Sequence, residues 1–582
     1  MSTTPDPVIR PETSSGVTLR SRFNSLIQHR EEQVCLVLSL LIGALAGLTV
    51  VAFIVLTEHL GMRIYPVGSP AWRRIAMPVG GSLAMGYLLY RYFPDARGSG
   101  VPQTKAALYA HNGNISLRTV LGKFGCTAAT LASGIPLGRE GPSVQVGAGI
   151  ASVLGRSLGL RPEKVKALIP VGAAAAIAAA FNTPMAAVLF ALEEVVGDLH
   201  APVLGSVVLA SATSWAVLRL LLGNNPLFHV PSYELVHPLE FGIYAILGIA
   251  GGFLSVAFTK LLLAMRKRFL LLPRSTRWWH PVVGGVLVGL MGWFVPQVLG
   301  VGYSYVGAAL DGTMAFKLMV LLIVLKLFAI TTAYASGNAG GIFGPALFLG
   351  AMLGGAIGTV AHHWLPTYTA TSGAYALVGM GALFAGIVRA PMTSVLMIFE
   401  MTRDYAVIVP LMIANLASLF ISTRFQKEPI YEALAQQDGI HLPGAKSREE
   451  RGRTVLQVMR GATEILPAQT SLRDALQLTQ SSSFHSWLVE DEGCVVGVLS
   501  RGTLEAALAD GKAEQNLISL FGSLNFPHVH ADHPIHLALE RMSKAHIDIL
   551  PVVNRADIHK LEGVITLRDV LDSYGIDSLG SA

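Results

Sequence analysis

The hydrophobic positions of this chain fall in long runs between about residue 34 and residue 425, beginning with "VCLVLSLLIGALAGLTVVAFIVL" at 34–56. Runs of that length cross the hydrocarbon core of a bilayer as helices. Past residue 440 they stop. "YEALAQQDGIHLPG" leads into the charged "AKSREERGRTV", and then into a C-terminal part of ordinary soluble character. The pattern predicts a polar N-terminal segment over 1–33 and a polytopic α-helical membrane domain over 34–440. A linker over 441–454 and a soluble α/β domain over 455–582 follow.

Both domains contain internal repeats. "FNTPMAAVLFALEEV" at 181–195 matches "VRAPMTSVLMIFEMT" at 388–402 when Pro184 is aligned with Pro391, a shift of 207 residues. "REGPSVQVGAGIASVLG" matches "GIFGPALFLGAMLGGAIG" when Pro142 is aligned with Pro345, a shift of 203. Two matches at nearly one spacing predict a duplicated half. Duplicated membrane halves with Gly/Pro-interrupted segments place a transport site at the repeat interface. In the soluble part, 471–508 parallels 533–571. Each half reads helix, short apolar strand, turn, second strand ("GVLS" or "GVIT") and helix.

Three Gly/Pro-rich breaks interrupt the apolar pattern: "RGSGVPQTK" at 97–105, "GREGP" at 138–142 and "GNAGGIFGP" at 337–345. Irregular backbone survives at membrane depth only where protein buries it or it lines a wet cavity. Each break is expected to start a helix partway across the bilayer. The N–H groups and the positive dipole end of such a helix attract an anion. Three termini with the Ser99 hydroxyl would hold a small anion without a fixed cation, weakly enough to pass it on.

Glu140 stands within the second break. Its carboxylate is itself an anion, competing for the place the helix termini create, and protonation would release it. An acid within a membrane is read first as functional; here it is both gate and proton carrier. Residues 101–230 contain only five acids, Glu140, Glu163, Glu193, Glu194 and Asp198. Glu193 and Glu194 end an apolar run, where one of them is placed to take protons towards Glu140. A solvated helix end is the alternative for that pair, and an ion pair with Arg139 is the alternative for Glu140.

Composition narrows the class. Hydrophobic residues make up 52% of the chain and charged ones 14%, well under the quarter usual for soluble domains. The 60 glycines suit closely packed or broken membrane helices. The net charge of +6 follows from loop charges and points to no nucleic acid. Arg20, Arg22 and Arg30 put the N-terminal segment in the cytoplasm, with no cleavage site before the first span. Cys35, Cys126 and Cys494 lie far apart and form neither a disulfide framework nor a metal site. The adjacent histidines of "AHHW" at 361–364 lack the four-residue spacing of a helical metal pair. No nucleophile–base pairing points to an enzyme.

At these residues the chain resembles the CLC family of chloride channels and chloride/proton antiporters. "GSGVP" (98–102), "GREGP" (138–142) and "GGIFGP" (340–345) stand in order, with "KEPIYEAL" (427–434) after the last span. The resemblance implies an inverted-repeat CLC-type fold and a homodimer whose subunits each have a pathway. Both termini would face the cytoplasm at the plasma (inner) membrane. It also implies that chloride is held by Ser99, the backbone N–H groups of Ile342 and Phe343, and the Tyr431 hydroxyl. Glu140 would be the gating glutamate and Glu194 the internal proton glutamate. Ser99 is the residue of chloride-preferring members, and Glu194 that of antiporters. Val101 stands where Ile is common and Gly344 where some relatives have Ala; both are read as minor. Glu400 is read as structural.

The C-terminal pair resembles tandem cystathionine-β-synthase-type (CBS) domains, which often bind adenine nucleotides. Thr566 and Asp569 in "GVITLRDVL" carry that family's ribose-binding pattern, whereas "GVLSRGTLE" has Thr503 at the Asp position. One regulatory nucleotide site is expected, against a dimer-stabilising module without ligand; no cofactor is required for transport. The function expected is chloride/proton exchange. A passive chloride channel of the same fold is the nearest alternative. A CBS-containing cation transporter is the remote one, and would need the carboxylate-lined coordination that these breaks lack.

Overall fold

The computed structural model describes residues 31–574 apart from 67, 200–201, 224–227, 229–234, 441, 443–452, 463–464, 481, 483, 522–525 and 556. The N-terminal segment before residue 31 and most of the expected linker lie outside the described residues. The chain divides into two units between Leu442 and Pro443.

Among the described residues the regular elements of the first unit are helices. Its first half runs α1 (Glu31–Ile64), α2 (Arg73–Arg91), α3 (Val101–Tyr109), α4 (Leu117–Ala132), α5 (Glu140–Ser157), α6 (Pro162–Phe181), α7 (Pro184–Phe190) and α8 (Leu204–Leu222). A π-helical turn, Ala191–Val196, extends α7. The second half repeats this order as α9 (Glu240–Leu271), α10 (His280–Phe294), α11 (Tyr303–Leu310), α12 (Phe316–Ala335), α13 (Phe343–Trp364), α14 (Ser372–Val388), α15 (Pro391–Thr402) and α16 (Ile408–Phe425). A short α17 (Ile430–Gln437) follows. Among the described residues seven helices are long and apolar enough to cross a membrane.

The repeat is visible in its packing. A Cβ on Gly147 of α5 would meet the Gly172 carbonyl of α6 at 2.2 Å, and one on Gly350 of α13 would meet that of Gly379 of α14 at 2.3 Å. Glycine at these four places lets helix backbones touch, the usual basis of packing where no hydrophobic force acts between helices. Buried lysines follow the same spacing. Lys123 Nζ donates to the carbonyls of Ala96 (3.1 Å) and Gly98 (2.6 Å), and Lys326 Nζ donates to that of Val301 (2.9 Å). Each fastens the broken stretch before a short helix, α3 or α11. Where repeat-related residues meet, they bond reciprocally. Gly138 and Gly341 exchange two N–H···O bonds of 2.7 Å, joining the second and third breaks as an isolated antiparallel bridge.

The second unit holds two α/β repeats, in the order the sequence predicts. The first has β1 (Ile465–Pro467), α18 (Leu472–Thr479), β2 (Ser486–Asp491), β3 (Cys494–Ser500) and α19 (Arg501–Ala509). The second has α20 (Ile535–Ala545), β4 (Ile549–Val553), β5 (Leu561–Thr566) and α21 (Leu567–Ser573). β1 pairs parallel with β2, and β2–β3 and β4–β5 pair antiparallel. Leu488, Ile549 and Val564 pack together, giving the repeats a shared core.

Candidate functional site

The three breaks converge in the interior of the first unit. α5 starts at Glu140, two residues after Gly138, and α13 starts at Phe343, two residues after Gly341. The Gly138–Gly341 bridge therefore holds the two helix heads together. The first break packs against them: Gly100 approaches α5 so closely that a Cβ there would meet the Gly141 carbonyl at 2.2 Å. First-turn N–H groups of a helix have no intrahelical acceptor, so this junction is a concentration of free donors. The Phe343 ring anchors the head of α13. Its centroid lies 4.7 Å from that of Phe181, 5.6 Å from Phe190 and 4.4 Å from Phe384.

Glu140 is fully buried, and its carboxylate lies across the head of α13. Oε2 accepts from the N–H of Gly344 at 3.2 Å, and Oε1 accepts from the Tyr303 hydroxyl. The adjacent Arg139 is no partner of Glu140. Its guanidinium reaches Glu58 Oε1 at 3.5 Å and stacks 5.5 Å from the centre of the Tyr303 ring. Among the described residues no ion pair joins Arg139 to Glu140. Gly344 stands against this carboxylate: a Cβ there would lie 2.9 Å from both Glu140 Oε2 and the Tyr303 hydroxyl oxygen, two side-chain ends that can shift.

Ser99, Ile342, Phe343 and Tyr431 are all buried. The backbone N–H of Ser99 donates to the Tyr334 hydroxyl at 3.2 Å. Among the described residues the Ser99 and Tyr431 hydroxyls have no partner within 3.5 Å; the two face each other, with Glu194, Tyr334 and Glu140 nearby. Buried hydroxyls seldom go unbonded. Two such donors beside a helix head are the chemistry of an anion site, and the residues fit chloride as cargo.

A cavity of about 870 Å³ reaches Tyr334 from the side where α17 ends. Arg97, Arg266, Arg274, Arg277 and His280 line it. Arg266 pairs with Asp438 at 2.5 Å, and Arg97 donates to the Arg277 carbonyl at 3.1 Å. This excess of cations raises the local anion concentration at the mouth of the site.

The paired acids at the end of α7 part company. Successive residues of the helical turn point in different directions, and Glu193 faces the head of α15. There it accepts from the N–H groups of Met392 (3.3 Å) and Thr393 (2.8 Å) and from the Thr393 hydroxyl (2.6 Å). Glu194 faces inward, 5% exposed, with Oε1 2.7 Å from Lys105 Nζ. Glu194 is buried at this helix end, whereas Glu193 is half-buried.

Two residues here escaped the sequence reading. Lys105 is one. Tyr303 is the other, although "GVGYSYVGAAL" at 300–310 aligns with "GSGVPQTKAAL" at 98–108 and would have marked its loop as the repeat of the Ser99 loop.

In the second unit, Thr566 and Asp569 form a capping box at the head of α21. Asp569 Oδ2 accepts from the N–H (2.9 Å) and hydroxyl (2.5 Å) of Thr566, and lies 3.3 Å from Arg460 Nε. Ser500 caps α19 alike, accepting from the Thr503 N–H at 3.2 Å.

A family model described as voltage gated chloride channel matches residues 80–423, and a CBS-domain model matches residues 522–575. The H(+)/Cl(−) exchange transporter ClcA of Vibrio cholerae serotype O1 is 32% identical over 414 residues, 69% of this chain and 88% of its own length. A solved structure described as a slow cyanobacterial Cl−/H+ antiporter aligns with a TM-score of 0.64 at 26% identity, covering 69% of this chain and 97% of its own. A eukaryotic CLC transporter aligns over 92% of this chain and 97% of its own, with a TM-score of 0.60 at 19% identity, a likeness of fold.

Proposed function

Because the chain belongs to the voltage-gated chloride channel family, we propose that it exchanges chloride for protons across a membrane, with Glu140 as the gate. The observation that carries the gate is the Glu140 carboxylate at the head of α13, hydrogen-bonded to Gly344 N–H where an anion would be bound. Chloride would be held by the Ser99 and Tyr431 hydroxyls and the N–H groups of Ile342 and Phe343. Dipoles and hydroxyls supply the attraction, with no fixed cation at the site itself, which keeps release fast.

The carboxylate and chloride compete. A proton reaching Glu140 by way of Glu194 neutralises the carboxylate and ends its claim on the N–H donors. Chloride then enters, and the proton leaves on the far side. Exchange of this kind is secondary transport, driven by gradients. The arginine-lined cavity is assigned to the cytoplasmic side, with both termini, in the inner membrane. The working unit is taken to be a homodimer with one pathway per subunit.

The CBS pair is proposed as a regulatory module. An adenine nucleotide there would be a regulator held at Thr566 and Asp569, and would have to displace the capping box and Arg460. Equilibrium binding of labelled ATP to the full chain, lost in Asp569→Ala, tests this against a module that only stabilises the dimer.

The exchange itself is tested in liposomes carrying the purified protein, under a chloride gradient alone. Uphill proton movement that is lost in Glu194→Val is expected. Chloride flux without proton movement would make the protein a passive channel, and no chloride flux would remove the anion assignment.

A further inference from the structure

The connection between α9 and α10 is basic and brings no acid of its own. From residue 241 to residue 310 the sequence has no aspartate or glutamate, yet Arg266, Lys267, Arg268, Arg274 and Arg277 stand close together. Arg266 is paired with Asp438. Among the described residues the side chains of the other four make neither an ion pair nor a hydrogen bond. Apolar residues are interleaved with them. Leu271 is 79% exposed, and Leu272, Trp278 and Trp279 are exposed as well. A merely solvated loop has no reason to present leucine and tryptophan beside unpaired guanidinium groups.

The backbone holds this stretch firmly. Residues Arg274–Thr276 form a turn of 3-10 helix, which has three residues per turn and so sets Arg274 and Arg277 on one face. The Thr276 hydroxyl donates to the Pro273 carbonyl at 2.8 Å and lies 2.8 Å from His280 Nε2. α2 packs so close that a Cβ on Gly86 would meet the Trp278 carbonyl at 2.4 Å. Arg274 and Arg277 both line the cavity that leads to Tyr334. Asp95 and Asp438 line it too, but Asp438 is taken up by Arg266, and Asp95 pairs with neither Arg274 nor Arg277. α9 has 32 residues, about 48 Å of helix, against a hydrocarbon core of about 30 Å. Charges are costly in that core, so the basic last turns of α9 belong among the headgroups, where tryptophan also settles.

We propose that the α9–α10 connection is a binding site for the headgroup of an anionic phospholipid. Arg274 and Arg277 take the phosphate, Lys267 and Arg268 add to the attraction, and Leu271, Leu272, Trp278 and Trp279 meet the acyl chains. Arginine suits the phosphate because its planar fork can donate two hydrogen bonds to it at once. A zwitterionic lipid offers the same apolar contacts without the net charge, and soluble phosphate offers the charge without the apolar contacts. The lipid shares its two arginines with the cavity, so its headgroup lowers the positive charge at that mouth. The site concerns binding alone and stands whether or not the chain exchanges chloride for protons.

The test uses the full chain in vesicles of phosphatidylcholine and phosphatidylglycerol, with bromine on the acyl chains of one lipid or the other. Bromine quenches a tryptophan it touches. The signal of this site is the difference between the unaltered chain and a Trp278→Phe/Trp279→Phe variant. Brominated phosphatidylglycerol should quench that signal more strongly than brominated phosphatidylcholine at equal mole fraction. The enrichment expected is roughly fivefold for each guanidinium engaged. Arg274→Gln with Arg277→Gln should remove the preference, and lysine at both positions should keep most of it. Equal quenching by the two lipids, or a preference that survives the glutamine substitutions, would overturn the proposal. Inorganic phosphate that removes the preference at constant ionic strength would assign the site to a soluble anion and overturn the lipid reading. Where a variant fails to fold, salt decides on the unaltered chain: the preference should fall as ionic strength rises, and indifference to salt would sink the proposal.

Discussion

Glu193 and Glu400 each cap the helix that carries the other. Glu193, just past α7, accepts from the N–H groups of Met392 and Thr393 at the head of α15. Glu400, within α15, accepts from those of Met185 (3.0 Å) and Ala186 (2.7 Å) at the head of α7. Donors and acceptors are related by the 207-residue shift that aligns Pro184 with Pro391. The two halves are thus locked by a symmetric pair of charge–dipole contacts.

A hydrogen bond to a charged group contributes about 1.5–3 kcal/mol. Glu400→Gln is accordingly expected to destabilise the folded unit by an amount of that order, read as earlier loss of folded protein on heating in detergent. Glu193→Gln should do the same, and neither should alter the number of chlorides moved per proton. A changed ratio in Glu193→Gln would place that residue on the proton route.

Glu140→Gln should abolish proton movement and leave chloride flux ungated, because the amide cannot carry a proton or compete as an anion. Retained pH-dependent coupling in that variant would remove Glu140 from its role. Tyr303→Phe deletes the hydroxyl that donates to Glu140 Oε1. At about 1.4 kcal/mol per factor of ten, its loss should weaken the hold on the resting carboxylate roughly tenfold. Faster chloride turnover with coupling retained is the expected result in a flux assay.

Ser99→Ala and Tyr431→Phe each take one hydroxyl from the proposed chloride site. A neutral hydrogen bond contributes about 0.5–1.5 kcal/mol, so each variant should raise the chloride Kd about two- to tenfold by calorimetry. An unchanged Kd in both would move the site away from these hydroxyls.

His533 gives the second unit an acid-sensitive point. Partial burial, with His530, Arg541 and Arg555 nearby, holds its imidazole below the usual value of 6.5, against the opposing pull of Asp532. Its Nδ1 accepts from the His530 N–H at 3.2 Å, which requires that nitrogen unprotonated. The unfolded chain therefore binds this proton first. The stability at stake is intact above about pH 6.5 and is lost as pH falls from there towards the folded value. Amide exchange around β4 in the full chain should quicken over that range, and His533→Gln should remove the step. The Asp532 carboxylate, held down by Arg555, acts in a separate window below its usual 3.8.

The parts legible in the sequence were those written in local chemistry. Gly/Pro clusters announced the broken helices, and Pro184 and Pro391 announced the duplication. Glu140 stood out because an acid is costly in an apolar run. What could not be read were pairings across long separations. Lys105 meets Glu194 89 residues on, and Tyr303 meets Glu140 163 residues back. Nothing local to "TKAAL" or "GYSY" names a partner. Glu193 and Glu194 were equivalent in residue type and hydrophobic context, and only the turn of the helix sends one to a helix head and the other to a lysine. Thr566 and Asp569 show the converse, since a local capping box satisfies the same pattern as a ribose site.

The bridge between Gly138 and Gly341 bears on how fast and how steeply this protein can turn over. Its two hydrogen bonds belong to both halves of the molecule, so the halves cannot part at the ion site without breaking them. With Glu140 as the proposed gate, the moving element would be a side chain of a few atoms, and side-chain rotations are far faster than the rocking of whole domains. Turnover would then be paced by proton arrival and by the departure of one ion for another. Its rate should depend on pH and chloride far more than on membrane thickness or lipid stiffness, the quantities that burden carriers which open and close as two bodies.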